Sequence, residues 1–326
     1  MKIIDLKTNR MTCPLGFQLG RPRLSFIVTD TGGTALTSMR VEVALDAAML
    51  QVVYDSGESR QVDSIAWELP LDLQPCTRYY WRVSGRADNG DNATSDVTWF
   101  ETAKMGQPWQ ARWITPQFDK DTHPVIFRDI EAPENIGQIR IYGVGLGVYE
   151  LYWDGQKVGD EYLMPGLMAY DAWIQYQTYA IPHVGPGRHR VAFALGNGWY
   201  KGKFGLSKAI GVYGDRMACL AEVHLIHDDG TRTIVGTGPD WQATRSPVVS
   251  SSIYDGEERD ATRDLSGVSG VTGIDLGFDR LEERLSPPLV IHERLQPVEI
   301  IRTPAGETVL DMGQNMVGWL EFTTRA

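Results

Sequence analysis

Apolar residues recur at every second position in short bursts, and no stretch carries them at helical spacing for long. Leu24-Ser25-Phe26-Ile27-Val28, Met39-Arg40-Val41-Glu42-Val43-Ala44-Leu45 and Val52-Val53-Tyr54 show the pattern in the first hundred residues. Period two sends successive side chains to opposite faces, so these are half-buried strands. Turn chemistry separates them at Asp30-Thr31-Gly32-Gly33, Asp55-Ser56-Gly57 and Asp88-Asn89-Gly90-Asp91-Asn92. The alternation resumes from Trp109 to about Leu285 with longer loops, and Asp-Gly hairpin signals lie at Trp153-Asp154-Gly155-Gln156 and His227-Asp228-Asp229-Gly230-Thr231. A short helix is expected near Gly277-Phe278-Asp279-Arg280-Leu281. The chain is therefore expected to be all-β, and the eight or so antiparallel strands of the second region suggest a jelly-roll β-sandwich.

Two breaks divide the pattern. Ala103-Lys104-Met105-Gly106-Gln107-Pro108 has the composition of a linker, and Ser286-Pro287-Pro288-Leu289 continues neither helix nor central strand. The expected domains are 1–104, 109–285, and a connector with the first strands of a further β-domain over 286–326. Those last forty or so residues offer too few strands for a core of their own, so the sequence is expected to stop inside a domain.

The formal net charge of −11 argues against a nucleic-acid partner or an anionic membrane, which reward Lys and Arg density. The opening Met1-Lys2-Ile3-Ile4-Asp5-Leu6-Lys7 has no apolar core long enough for a secretory signal, and no run of eighteen or so apolar residues would span a bilayer. Cys13, Cys76 and Cys219 are odd in number, far apart and without metal-ligand spacing. They read as free thiols in a reducing compartment, and a cytoplasmic location is expected.

Leu73-Gln74-Pro75-Cys76-Thr77-Arg78-Tyr79-Tyr80-Trp81-Arg82-Val83 resembles the corner and following strand of a fibronectin type III sandwich, with Trp67 in the place of the core tryptophan. Such modules mostly act as spacers. More suggestive is Ala194-Leu195-Gly196-Asn197-Gly198-Trp199-Tyr200, followed by Gly202 and Gly205, which sets aromatics and an amide among glycines at a strand end. Glycine permits close approach, and Trp and Tyr offer flat apolar faces with polar handles. Stacking of a sugar ring and an aromatic plug at the end of a sandwich are both consistent with this segment.

Three further runs stand in order with it: Gly147-Val148-Tyr149-Glu150-Leu151-Tyr152-Trp153-Asp154-Gly155-Gln156, then Met164-Pro165-Gly166, then Tyr176-Gln177-Thr178-Tyr179. With Tyr254-Asp255-Gly256-Glu257, this order resembles the N-terminal β-domain of bacterial α-L-rhamnosidases. Asp311-Met312-Gly313-Gln314-Asn315-Met316-Val317-Gly318-Trp319 is similar to the opening of that family's next, concanavalin-like domain. The chain departs from the family at Leu167, where Trp is frequent, and at Ala180, where Asp is. The resemblance implies a glycoside hydrolase that releases terminal α-L-rhamnose, with the catalytic carboxylates on a C-terminal (α/α) barrel that this chain lacks, so the chain alone is expected to be inactive. It implies rhamnose-containing glycosides and the protein's own catalytic domain as partners. It also implies a possible rhamnose site with calcium, for which the candidates are Trp173 as platform, Asn197 as amide, Trp199 and Tyr200 beside it, and Asp171 or Glu150 as carboxylate; the identity of any metal ligands stays open. The alternatives are a stand-alone carbohydrate-binding module, or a protein-interaction module marked by an apolar patch on residues 25–102.

Other chemistries find less support. Asp255, Glu257, Glu258 and Asp260 read as a solvated loop rather than a glycosidase acid pair. His123, His183, His189, His224, His227 and His292 lack zinc-site spacing. Gly143-Val144-Gly145-Leu146-Gly147 precedes a strand instead of opening a helix, which removes the dinucleotide reading.

Overall fold

The computed structural model describes residues 1–182, 184–205 and 209–324. It is all-β, as the alternation requires, and falls into two units, Met1–Pro288 and Leu289–Ala326. The only helix among the described residues is the single turn Gly198–Lys201, and no helix there is long and apolar enough to cross a membrane. Residues 278–280 form a turn instead of the expected helix, closed by a Leu281 N–H to Phe278 carbonyl bond of 3.0 Å. Gly277 at φ +66° blocks a helical entry there.

The first sandwich packs a six-stranded sheet against a three-stranded one. In the larger sheet Arg78–Ala87 lies between Leu36–Ala44 and Thr98–Thr102. Along Arg78–Ala87 the odd positions point inward, and Tyr79, Trp81 and Val83 are buried. The core tryptophan is thus Trp81 and not Trp67. Trp67 sits on the two-residue strand Trp67–Glu68 of the smaller sheet, where it is only partly covered. The corner anticipated at Leu73-Gln74-Pro75 is present: Gln74 N–H donates to the Tyr79 hydroxyl at 2.7 Å, and the Thr77 hydroxyl donates to Pro75 O at 2.9 Å.

In the second sandwich a continuous hydrogen-bonded path of strands folds over on itself. One half carries Ala218–His227, Ile136–Leu146 and Gln177–Ile181; the other carries Val148–Trp153, Gly187–Gly196 and Pro124–Ala132. Between them lie Ile139, Ile141, Val223 and Leu225 from the first half and Leu151, Val191, Phe193 and Ile126 from the second. The glycine run on Ile136–Leu146 is explained here. A Cβ on Gly143 would come within 3.0 Å of the Phe193 ring, and one on Gly145 within 2.7 Å of Leu195.

The alternation that sends Ile139 and Ile141 inward sends Arg140 and Tyr142 to the opposite face. On the neighbouring strand, Glu222 opposes Tyr142 and His224 opposes Arg140. That outer face meets the first sandwich and is almost fully closed to water. The guanidinium of Arg140 clasps Glu101 of the first sandwich at 2.6 and 3.0 Å, and Arg78 adds a bond to the same carboxylate at 2.7 Å. Lys104 places its ammonium 2.6 Å from Glu222, whose side chain is wholly buried; His224 Nε2 lies 2.9 Å from the same oxygen, and Gln110 N–H donates to the other. Burial alone would raise the Glu222 carboxyl, but these donors hold it below the usual carboxylate value.

In the second unit, Glu299–Arg302 pairs with Thr308–Asp311 as a hairpin whose residues are exposed on both faces.

Removing one partner of a buried pair leaves the other charge stranded. Glu222→Leu should therefore destabilise the chain by about 3 to 5 kcal/mol in urea unfolding. Lys104→Met combined with Glu222→Leu should recover most of that loss. Because the Glu222 pKa is lowered, its contribution is present at neutral pH and disappears only as pH falls below the ordinary carboxylate range.

Candidate functional site

Strand Gly187–Gly196 leaves the sheet and turns at once into the short helix Gly198–Lys201. Gly198 holds φ +53°, and a Cβ there would sit 2.7 Å from Val148 N. Opposite it, Gly147 at φ +108° would bring a Cβ within 1.8 Å of Gly196 O. The glycines therefore let one strand end press against the start of another. What they approach is the chain's own backbone.

Asn197 is bonded on all sides. Its N–H donates to Ser251 Oγ and its Nδ2 to Ser251 O, both at 3.0 Å, while its Oδ1 accepts from the Lys201 ammonium at 3.2 Å. Lys201 is buried and also reaches Asp121 at 2.8 Å. These bonds fasten the hairpin formed by Val248–Ser252 and Gly256–Arg259 to the helix. Behind them His123, 2% exposed, sets Nε2 at 2.8 Å from Ser251 Oγ, while its Nδ1 has no partner. Burial, helped by the positive charges of Lys201 and Arg263, pushes the His123 pKa down to about 4.

Tyr200 is buried, edge-on to Tyr170 with centroids 5.3 Å apart, and burial raises its phenol. Trp199 and Trp173 are half-buried against the cluster that contains Tyr170, Tyr200 and Met168. Asp171 is exposed in the turn before Trp173. Glu150 lies on Val148–Trp153, where it accepts from the Tyr152 hydroxyl at 2.6 Å and the Lys157 ammonium at 2.8 Å. Burial works against its charge, yet these two donors hold its pKa below the ordinary range. The structure thus brings Trp173, Trp199 and Tyr200 to one aromatic cluster, and gives Asn197 and Glu150 to internal bonds. Trp173, Trp199 and Asp171 keep exposed surface.

Calcium does not fit these groups. It takes six to eight oxygens, whereas the side-chain oxygen of Asn197 and one carboxylate oxygen of Glu150 already face ammonium groups and the other Glu150 oxygen accepts from the Tyr152 hydroxyl. Among the described residues no group of three or more His, Cys, Asp or Glu side chains could hold a metal. The acidic loop is engaged otherwise: Asp255 pairs with Lys203, Glu257 with Arg259 at 3.4 Å, and Asp260 accepts from the Thr262 hydroxyl at 2.6 Å. His189 contacts Asp154 and Gly185 O, His227 contacts Asn135 and Thr233, and His292 is exposed. His183 lies outside the described residues. Cys76 and Cys219 are buried and unpaired, as is half-buried Cys13. Lys201, Ser251 and the His123 contact were not visible in the sequence, because their partners lie up to 128 positions away.

Comparison with known proteins gives the same architecture. Residues 134–302 match the family described as the α-L-rhamnosidase N-terminal domain, and residues 3–106 match the Rha78A-like N-terminal immunoglobulin domain. An α-L-rhamnosidase from Streptomyces avermitilis is 33% identical over 277 residues, covering 81% of this chain and 26% of that protein. One from Formosa agariphila is 24% identical over 98% of this chain and 38% of its own length. The chain therefore spans about a quarter to two fifths of the relatives it matches. Among solved structures, the native Aspergillus terreus α-L-rhamnosidase superposes with a TM-score of 0.82 at 24% identity, over 98% of this chain and 39% of that one. The Streptomyces avermitilis enzyme complexed with L-rhamnose gives 0.78 at 21%, over 97% and 49%. At these identities the superpositions show a shared fold.

His123 predicts a distinct acid response. Between the ordinary imidazole value of 6.5 and about 4, the unfolded chain takes up a proton that the folded chain refuses. Stability is therefore full above pH 6.5 and falls as pH descends through this window, by on the order of 3 kcal/mol in all. Urea midpoints measured from pH 7.5 to 4.5 should show this slope, and His123→Asn should flatten it.

Proposed function

Since this chain belongs to the family of α-L-rhamnosidase N-terminal domains, we propose that it is the accessory β-region of an enzyme that hydrolyses terminal α-L-rhamnose from glycosides. Its role is to hold and orient the catalytic part without supplying an acid pair. The observation that carries this reading is the junction between the sandwiches, where Glu101 and Glu222 are buried against Arg140 and Lys104. Glycoside hydrolysis requires one carboxyl to protonate the leaving oxygen and another to act on the opposite face. Here, among the described residues, the buried carboxylates are all neutralised by cations, Glu42 by Arg82 at 2.9 Å besides Glu101 and Glu222, and the half-buried Glu161 is held by Arg284 at 2.5 Å. Such groups build a frame and are not available for proton transfer to a substrate.

The end of the second sandwich around the short helix is the face we assign to the catalytic part. Leu167, Val212 and Tyr254 on loops, and Ile210 on the two-residue strand Ala209–Ile210, stand between 48% and 72% exposed on segments joined there by the Tyr170 hydroxyl to Gly166 O, Gly211 N–H to Lys201 O and Gly205 N–H to Tyr254 bonds. Clustered exposed apolar side chains mark interaction surfaces. The exposed hairpin Glu299–Asp311 reads in the same way, as the first strands of a sheet completed by further strands.

Full-length protein should release 4-nitrophenol from 4-nitrophenyl α-L-rhamnopyranoside, whereas this chain alone should not; an inactive full-length protein would overturn the assignment. Leu167→Asp with Ile210→Asp should lower the inactivation temperature of the full-length enzyme and leave the unfolding temperature of the isolated chain unchanged.

A further inference from the structure

A cleft of about 840 Å³ opens where the linker after the first sandwich passes the segment 278–283. Its volume lies in the range of small-molecule sites, about 300 to 1,000 Å³. Phe17, Trp109 and Phe278 line it, and Tyr176 meets Trp109 edge-on with centroids 5.2 Å apart. Phe278 is 43% exposed, so part of its ring surface has no covering neighbour.

We propose that this cleft binds a neutral glycoside, stacked on its aromatic walls and hydrogen-bonded by its amides and carboxylates. The proposal rests on the reading of the chain as part of a glycosidase. No residue of the short helix lines the cleft, although Tyr176, Trp109 and Leu281 on its wall pack in the same cluster as Tyr170 and Tyr200; the lining comes from both sandwiches and the linker between them.

Charge selects the ligand. Lys104 is the one cation among the lining residues, and its ammonium is already held by Glu222 at 2.6 Å and by Pro108 O at 3.3 Å. Asp279, Glu282 and Glu283 also line the cleft, and among the described residues none of them has an ion-pair partner. An acidic saccharide would meet like charge and find no free cation. A neutral sugar instead brings hydroxyl donors, and the carboxylates retain acceptor capacity because their present bonds are long. Gln18 Nε2 reaches Glu282 at 3.4 Å, and the Tyr176 hydroxyl reaches Glu283 at 3.4 Å. The C–H face of a pyranose matches the apolar ring faces, while its rim of hydroxyls matches Gln18, Gln107 and Glu282.

The test is titration of the 326-residue chain with 4-nitrophenyl α-L-rhamnopyranoside, followed by calorimetry and by tryptophan quenching. Binding is expected at millimolar concentration or below. Phe278→Ala and Glu282→Gln should each weaken it about tenfold with no change in thermal midpoint, since both side chains keep solvent exposure. A galacturonate oligomer should bind at least about tenfold more weakly than a neutral rhamnoside. Absence of binding at about 10 mM, affinity unaffected by both variants, or equal affinity for the acidic oligomer would each overturn the proposal. Hydrolysis by the full-length enzyme separates the two ideas. An active enzyme whose isolated accessory chain binds without regard to Phe278 and Glu282 removes the cleft and leaves the enzymatic reading, whereas an inactive one with Phe278-dependent binding does the reverse.

Discussion

The pair of buried carboxylates at the junction, Glu101 on one side and Glu222 on the other, governs how the two sandwiches of Met1–Pro288 meet. Each is closed off from water and each is matched by a cation from across the boundary: Arg140 for Glu101, and Lys104 for Glu222. Lys104 belongs to the stretch that reads as a linker by composition, yet its ammonium is inside the protein and its N–H donates to the Tyr176 hydroxyl. The connection between the sandwiches is thus a packed layer with its own charge pattern. From Ile139 onward the strand Ile136–Leu146 is buried on both faces because that layer covers the side opposite its own core.

The glycine and aromatic segment around Asn197 shows how the same residue types serve an internal purpose. Gly147 and Gly198 face one another across a contact too close for any Cβ. Tyr200, two residues on, packs so closely against Gly214 that a Cβ there would lie 2.3 Å from its hydroxyl. Close approach was legible in these residues, but the identity of the approaching group was not. Glycine tolerates a ligand and a neighbouring strand on equal terms, and only the tertiary arrangement distinguishes them.

Much of the fold could be read directly because strand periodicity is a local property. The alternating runs at Leu24–Val28 and Met39–Leu45 overlap observed strands, and the Asp154-Gly155 turn joins Val148–Trp153 to Gln156–Lys157. Choosing between Trp67 and Trp81 for the core needed more than alternation, since both follow apolar patterns and only Trp81 lies on a strand flanked on both sides. Arg140, between Ile139 and Ile141, was visible as a polar residue on a strand. Its partner Glu101 is 39 residues away, and no local pattern announces such a pair. His123 is a similar case, an imidazole whose neutrality follows from burial that sequence does not display.

Charged residues suit this junction better than purely apolar ones for a physical reason. Desolvation offsets most of the attraction between buried partners, so a correct match contributes little net stability. An incorrect match leaves an uncompensated charge in a region without water, at a cost of several kcal/mol. Apolar surfaces can slide and still bury similar area, whereas the two-bond grip of Arg140 on Glu101 and the contact of the Lys104 ammonium with Glu222 are satisfied in one relative position. The steep difference between match and mismatch fixes the angle between the sandwiches. A fixed angle is what a region must have if it is to hold a larger catalytic body in one orientation, and it also gives a lasting shape to the cleft that both sandwiches line.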